Sequence, residues 1–508
     1  MSAAAFTRIR NGGALPLAKL PEADFDAFRG ALLGELAAGR RLVAFFAAPV
    51  AGAGADLWAV VAADGPGTLA IARTRLPDDR FPSLTPAAPQ AHLFEREMAE
   101  QLGLKPQGHP WLKPVRYRAS WRPGHDAWGR TEGDPILPAV GDFFRVEGTE
   151  VHEVAVGPVH AGVIEPGHFR FQCHGEKVFH LEIALGYQHR GVEESLLGGP
   201  HRHSTARVET LAGDTTVGHA TAFSQALEAL SGTTVPPRAQ ALRGIALELE
   251  RLANHTGDLG ALAGDVGFLP TASFCGRLRG DFLNMTAVLC GNRFGRGLVR
   301  PGGTLVDADE ALASDLSRRL EETMKDLRGA VELLFATATA TARFEGTGRV
   351  DPATAEALGL VGPAARACGV DQDVRRDHPS GVFRFVHVPV MTAHDGDVNA
   401  RAYVRWLEAQ RSYEFVRAQL AALPEGSVRN APKPLRPEHV AVSLVEGWRG
   451  EVAHVAVTGV DGRFSRYKVV DPSFHNWMGL AMALRNEEIS DFPLCNKSFN
   501  LSYCGHDL

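Results

Sequence analysis

The chain has 508 residues, 45% hydrophobic and 22% charged, too long for one compact core and suited to two to four domains. Such a composition excludes disordered and collagen-like structure. Lys and Arg number 53 against 59 Asp and Glu, a formal charge of −6, so no overall basic field exists for nucleic acid or anionic lipid.

Along the chain, Met1 to Arg10 leads into Asn11, Gly12 and Gly13 rather than into an apolar core and cleavage site, which predicts a cytoplasmic protein without a signal peptide. An amphipathic helix near residues 21–38, strands at 41–49 and 56–63, and a helix at 90–102 form a small α+β unit. The most apolar stretch, 42–63, is interrupted by Pro49, Gly52, Gly54 and Asp56, whereas a membrane span needs about 20 nearly continuous apolar residues. Between Lys113 and Gly141 the density of Pro114, Pro123, Gly124, Gly129, Gly133, Pro135 and Pro138 predicts an extended connection.

Beyond Val151 the pattern reads as mainly helical. Pro236 and Pro237 start a helix whose Leu242, Ile245, Leu249 and Leu252 share one face. A second stripe runs from Asp307 through Leu316, Leu320, Leu327 and Leu334, and a third helix covers about 399–422. Residues 439–445 and 451–457 alternate like strands, and Asp461 with Gly462 supplies a two-residue turn into 463–470. The fold class is therefore α+β: a small N-terminal α+β domain (1–117), a linker (118–150) and a large, mainly helical domain (151–508) with small antiparallel sheets.

His160, His168, His174, His180, His189, His201, His203 and His219 crowd together, but neither CxxC nor HExxH occurs among them. Hydrogen-bonded or surface histidines therefore explain the cluster better than a zinc site. The six cysteines are scattered without a CxxC pair, as in a reduced cytoplasmic protein. Cys495 and Cys504 read as small buried residues, with no basic neighbour in sequence beside Cys495 and only His506 near Cys504.

Several segments taken together are more specific. Glu165-Pro166-Gly167-His168, Gln188-His189-Arg190-Gly191, His219-Ala220-Thr221-Ala222, Glu248 through His255, Val361 through Gly369, Arg375-Arg376-Asp377-His378-Pro379, Glu446-Gly447-Trp448-Arg449-Gly450, and Ser490 through Leu494 resemble, in order and spacing, the large subunit of group 4 nickel–iron hydrogenases. They equally resemble its relative, the 49 kDa subunit of respiratory complex I. Phe94-Glu95-Arg96-Glu97 and Gly108-His109-Pro110 look like the 30 kDa complex I subunit, which formate hydrogenlyase-type enzymes carry fused ahead of the large subunit.

The resemblance implies metal ligands at four positions, because soft thiolates of two CxxC pairs hold nickel and iron in the family. Those positions fall on Ala212, Thr215, Ser502 and Gly505, so the expectation is that no metal is held and the NiFe centre is lost. Glu165 takes the place of a glutamate that passes protons, and Arg449 that of an arginine over the metal centre. Arg375 and Asp377 resemble polar residues around the same cavity, and His219 follows the first cysteine positions. These five are the candidate catalytic residues; the alternative for Glu165, Arg449, Arg375 and Asp377 is a buried salt-bridge network inherited from an ancestral site. His255, on the same helix face as Glu248, reads as a packing residue.

For a quinone site the expected Tyr falls near Thr210 and the His region near Glu165 and Pro166, so neither key residue is clearly kept, although apolar surroundings could hold a quinone tail. With no cysteine cluster of its own, the chain is expected to receive electrons from 4Fe–4S clusters in a partner. The resemblance implies an iron–sulfur small subunit, a ferredoxin-like subunit and antiporter-like membrane subunits as partners, with no nucleic acid. It implies a peripheral position on the cytoplasmic side of the inner membrane and electron transfer coupled to ion translocation. A structural scaffold and an NADH-quinone oxidoreductase-type quinone-site subunit stay open as alternatives.

Overall fold

A computed structural model describes residues 5–50, 52–131, 133–139, 141–160 and 164–508. Strands β1 (Thr7–Ile9) and β2 (Gly13–Pro16) come first, then helix α1 (Phe25–Ala37), whose Asp24 caps the Ala27 amide at 2.8 Å. Strands β3 (Arg41–Pro49), β4 (Ala55–Ala63) and β5 (Thr68–Leu76) join β1 in an antiparallel sheet of order β1-β5-β4-β3. Helix α2 (His92–Leu102) follows. The interrupted apolar stretch thus becomes two buried strands, and among the described residues no helix is long and apolar enough to cross a membrane.

Residues 118–150 contain neither helix nor strand among those described. They are nonetheless anchored: Arg122 is buried and donates to Asp79 at 2.8 Å. The stretch after Val151, which sequence assigns mainly to helix, opens instead with a three-stranded antiparallel sheet, β6 (Val151–Val156), β7 (His168–His174) and β8 (Lys177–Ala184). Its central strand turns Phe169, Phe171 and Cys173 inward at every second position, the period-two signature of a strand that packs one face on the core.

Helices α3 (Thr216–Ser231), α4 (Pro237–Asp265), α5 (Leu269–Cys290), α6 (Glu310–Ala336) and α7 (Val398–Ala421) then pack together. Sequence reading identified α4, α6 and α7 by their stripes. Helix α3 is buried on nearly every side, so it shows no polar face to mark it. Strands β9 (His439–Gly447), β10 (Gly450–Thr458) and β11 (Phe464–Val470) precede α8 (Pro472–Ala483), α9 (Phe492–Phe499) and α10 (Tyr503–Asp507). The β10–β11 connection is longer than a two-residue turn: pairing resumes at Thr458 with Phe464 after a register shift, and Gly462 takes φ +73° inside that loop.

The N-terminal segment is built into the C-terminal sheet. β2 is its edge strand, in the order β11-β10-β9-β2, with Leu15 opposite Val440. One apolar core accordingly runs from Phe28, Phe45 and Val60 to Val442, Leu444, Val455 and Phe474. Each such buried side chain contributes about 1.5–3 kcal/mol. Charged contacts reinforce the junction: Lys468 bridges Glu97 at 2.6 Å and Glu193 at 3.0 Å, all three buried.

Candidate functional site

Three pieces of chain meet behind β9 and β10: the start of α3, the Trp448-Arg449 turn and the C-terminal segment from Asn500. A fourth segment, at Gly362, passes against the same turn. At Gly362 (φ +67°) a Cβ would stand 2.0 Å from the Arg449 carbonyl oxygen, so only glycine lets the two backbones pass so closely.

Arg449 is the hub. Its guanidinium donates to both oxygens of Asp214 at 2.6 and 2.7 Å, to the Asn500 carbonyl, and lies 3.9 Å from the centre of the Trp448 ring. Burial works against its charge, but Asp214 outweighs that and holds the pKa above the ordinary value. Trp448 and Asn254 donate to the Asp214 carbonyl oxygen, each at 2.9 Å, which fixes the acidic partner. The network continues through Asn500 to Asp258, which takes a 2.7 Å bond from Arg405.

At the first turn of α3, Val217 and Gly218 donate their amides to Glu250 of α4 at 2.7 and 3.2 Å. Burial nevertheless pushes the Glu250 carboxyl up to about 8, against those amides and helped by nearby Asp214. A neutral, proton-bearing acid therefore stands beside the Asp214–Arg449 pair at pH 7.

Beneath α3 lies a second array. His219 contacts His454 at 3.1 Å and Asp471 at 3.1 Å, and His454 contacts the Tyr467 hydroxyl at 2.8 Å. Asp471 abuts the backbone at Gly505, where a Cβ would come within 2.6 Å of the carboxyl carbon.

Two parts of the chain match described families. Residues 265–441 match "Respiratory-chain NADH dehydrogenase, 49 Kd subunit" and residues 66–129 match "Respiratory-chain NADH dehydrogenase, 30 Kd subunit". Formate hydrogenlyase subunit 5 of Escherichia coli (strain K12) is 31% identical over 447 residues, covering 83% of this chain and 76% of the relative. The carbon monoxide-induced hydrogenase of Rhodospirillum rubrum is 31% identical over 350 residues, 69% of this chain and 97% of its own. An NADH-quinone oxidoreductase component of Dehalococcoides mccartyi (strain ATCC BAA-2266 / KCTC 15142 / 195) is 30% identical over 349 residues, 68% of this chain and 94% of its own. The chain belongs to the complex I-related hydrogenase large-subunit family. It carries the 30 kDa and 49 kDa regions in one polypeptide, and its relatives are subunits of membrane-bound hydrogenase and complex I assemblies.

The family positions can now be placed. Thr215 is buried, with its hydroxyl 3.3 Å from Asp214 and 3.4 Å from Arg449. Ser502 caps α10 by accepting the Gly505 amide at 2.9 Å, and Ala212 is fully buried. None of the four residues supplies a thiolate, and Gly505 has no room for one beside Asp471. This donor set does not fit a nickel–iron centre, which requires soft sulfur ligands.

Glu165 is half-buried beside Tyr503 and Cys504, on the same side as Ser502, 3.3 Å from the Cys504 sulfur. Arg449 and His219 adjoin this region, one through Asp214 and the other through Asp471. Arg375 lies in a separate ionic cluster, bonded to Asp373 at 2.6 Å and Glu248 at 2.9 Å. Arg251 links that cluster back to the carbonyl oxygens of Glu446 and Gly447. Asp377 accepts the Asp373 amide at 2.9 Å and pairs with Arg376 at 2.6 Å. His255 donates to the Glu408 carboxylate at 2.8 Å inside the same buried cluster.

Two expectations about the thiols need correction. Cys495 does have a basic neighbour in space, Arg401, which moderates but does not reverse the effect of burial; the thiol is pushed up to about 12. Cys504 faces Glu165 and Ser502 rather than His506, and burial raises it to about 11. Of the clustered histidines, His160 contacts the Gly167 carbonyl, His201 the Leu197 carbonyl and His189 the Asp507 carbonyl. Sequence reading missed Asp214, Glu250, His454, Tyr467 and Asp471. Asp214 was the one within reach, lying between the two candidate positions Ala212 and Thr215; the others come from distant segments.

Proposed function

We propose that this family member works without a nickel–iron centre, as the subunit through which proton and conformational changes pass between electron transfer and ion movement. The observation that supports the reading is what lines the positions the resemblance assigns to metal ligands: a Cβ on Gly505 would stand 2.6 Å from the Asp471 carboxyl carbon, and Asp214, next to Thr215, is paired with Arg449. Glu165, Glu250 and Arg449 are its candidate working residues, with Glu250 holding a proton, Glu165 as the candidate relay and Arg449 fixing the Asp214 carboxylate. In the assembly, electrons arrive from an iron–sulfur small subunit with 4Fe–4S clusters and from a ferredoxin-like subunit. Antiporter-like membrane subunits carry the ions, and this chain sits peripherally on the cytoplasmic face of the membrane. Nickel and iron analysis of the purified complex tests the reading: nickel stoichiometric with this chain overturns it.

A second reading, a scaffold without chemistry of its own, is favoured by the complete engagement of Arg449 with Asp214 and Asn500. Glu165→Gln separates the two. Unchanged assembly and unchanged ion transport support the scaffold; intact assembly with impaired transport supports proton coupling.

A further inference from the structure

We propose that the cavity enclosed by α3, α4 and the one-turn helix Gly381–Arg384 is a solvent inlet through which the buried Glu446 takes up and releases one proton. The inference deepens the proton-coupling reading, on which it rests for the use of that proton, by naming where a proton enters the chain.

Charge counting singles out Glu446. Three guanidiniums, Arg251, Arg366 and Arg375, and four carboxylates, Glu248, Asp373, Glu408 and Glu446, form one ionic cluster. All of them are at most 4% exposed. Fully ionised, the cluster buries an uncompensated negative charge, and neutralising one carboxylate removes that cost. The carboxylates are unequally served. Glu248 faces Arg251 and Arg375, Asp373 faces Arg375 and Arg366, and Glu408 faces Arg366, Arg251 and His255. Glu446 pairs with Arg366 alone, at 2.8 Å, and its second oxygen accepts the Val374 amide at 3.0 Å. Burial and the neighbouring Asp373 charge raise the Glu446 carboxyl above the ordinary value, against Arg366, Arg251 and Arg375. His255 does not take the proton instead. Its Nδ1 has no partner among the described residues, so an imidazolium would bury an unbonded N–H, and burial lowers its pKa.

The same carboxylate is the one that meets the cavity. The space measures about 390 Å³, with buried Glu446 and Arg375 at its inner end and exposed Thr234 and Arg384 at its mouth. Glu248, Asp373 and Glu408 do not line it. A water needs only roughly 10–15 Å³ and about three polar partners, and the walls supply such partners. Gln225 bridges Ser380 and Ser443 at 2.9 Å each, and the Thr221 hydroxyl, 6% exposed, has no partner among the described residues.

The step balances without a redox change. A hydronium in the cavity gives its proton to a lone pair of the Glu446 carboxylate and leaves as water, and the cluster passes from one excess negative charge to none. The reverse step returns the proton to the same cavity. The change reaches the hub through Arg251, which faces Glu446 and donates to the carbonyl oxygens of Glu446 and Gly447 at 2.7 and 2.9 Å. Trp448 and Arg449 follow directly in the chain, so the charge on Glu446 acts on the turn that places Arg449.

Infrared difference spectra of the full chain, labelled with 13C-glutamate and titrated from alkali to acid, read this proton. The expected result is a protonated-carboxyl band that grows as pH falls, with a midpoint above the ordinary glutamate range, kept in Glu250→Gln and lost in Glu446→Gln. A band of equal size in the wild type and Glu446→Gln overturns the proposal, as does the lack of any such band in the wild type. Ala229 also lines the cavity, and Ala229→Phe narrows it from α3 while leaving every member of the cluster in place. After flash release of a caged proton, that variant should show the band growing several-fold more slowly. An unchanged rate overturns the inlet, and this arm reads an intact Glu446 even if Glu446→Gln fails to fold. Ion transport by the complex carrying Glu165→Gln judges the proton-coupling reading separately, because neither infrared result depends on it.

Discussion

The carboxylate of Asp471 stands where a side chain at residue 505 would have to go: a Cβ on Gly505 would lie 2.6 Å from the Asp471 carboxyl carbon. The contact is between a backbone and the immobile end of a short, buried, doubly hydrogen-bonded side chain, so relief requires movement of α8 or α10.

Gly505→Ala should therefore destabilise the protein by about 1–3 kcal/mol, the usual cost of overpacking. Combining it with Asp471→Gly should recover part of that loss, because the two changes act on one volume. Urea denaturation of the two single variants and the double variant checks this. A strictly additive result would show that the two residues do not compete for space.

The Asp214–Arg449 pair predicts an asymmetry. Arg449 is buried, whereas the Asp214 side chain is 31% exposed. Asp214→Ala leaves a buried guanidinium without its carboxylate. It should cost on the order of 2–3 kcal/mol, below the figure for fully buried pairs because Asp214 is partly solvated. Arg449→Met removes the buried cation and keeps an apolar group against Trp448, and should cost less. Equal losses in denaturant unfolding would contradict the hub role assigned to Arg449.

Glu250 predicts a pH dependence with a definite sign. Its folded pKa, about 8, lies above the ordinary 4.5, so the native state holds a proton that the unfolded chain releases. The stability this group contributes is fully present below about pH 4.5 and is lost as pH rises toward 8. The slope is at most about 1.4 kcal/mol per pH unit. Glu250→Gln keeps an acceptor for the Val217 and Gly218 amides while removing the ionisation. The variant's stability should be flatter between about pH 5 and 8, relative to the wild type, by about that slope. Identical profiles would refute the raised pKa.

Sequence alone determined the α+β class, the stripes of α4, α6 and α7, the strands β3, β4, β9 and β10, and the resemblance that assigns ligand positions to Ala212, Thr215, Ser502 and Gly505. Those features are local periodicities or aligned motifs, which a one-dimensional reading can see. The tertiary structure decided what surrounds those positions. Asp214, Glu250, His454, Tyr467 and Asp471 carry no motif as a group, because their partners lie up to 252 residues apart in the chain and their bonds exist only once α3, β10, β11 and α10 have packed. The same holds for β2: four residues that end in proline signal little, yet pairing with β9 buries Leu15 and joins the N-terminal unit to the sheet beneath the site. Pairing between distant strands depends on which edges meet in space, and no spacing within the sequence encodes that.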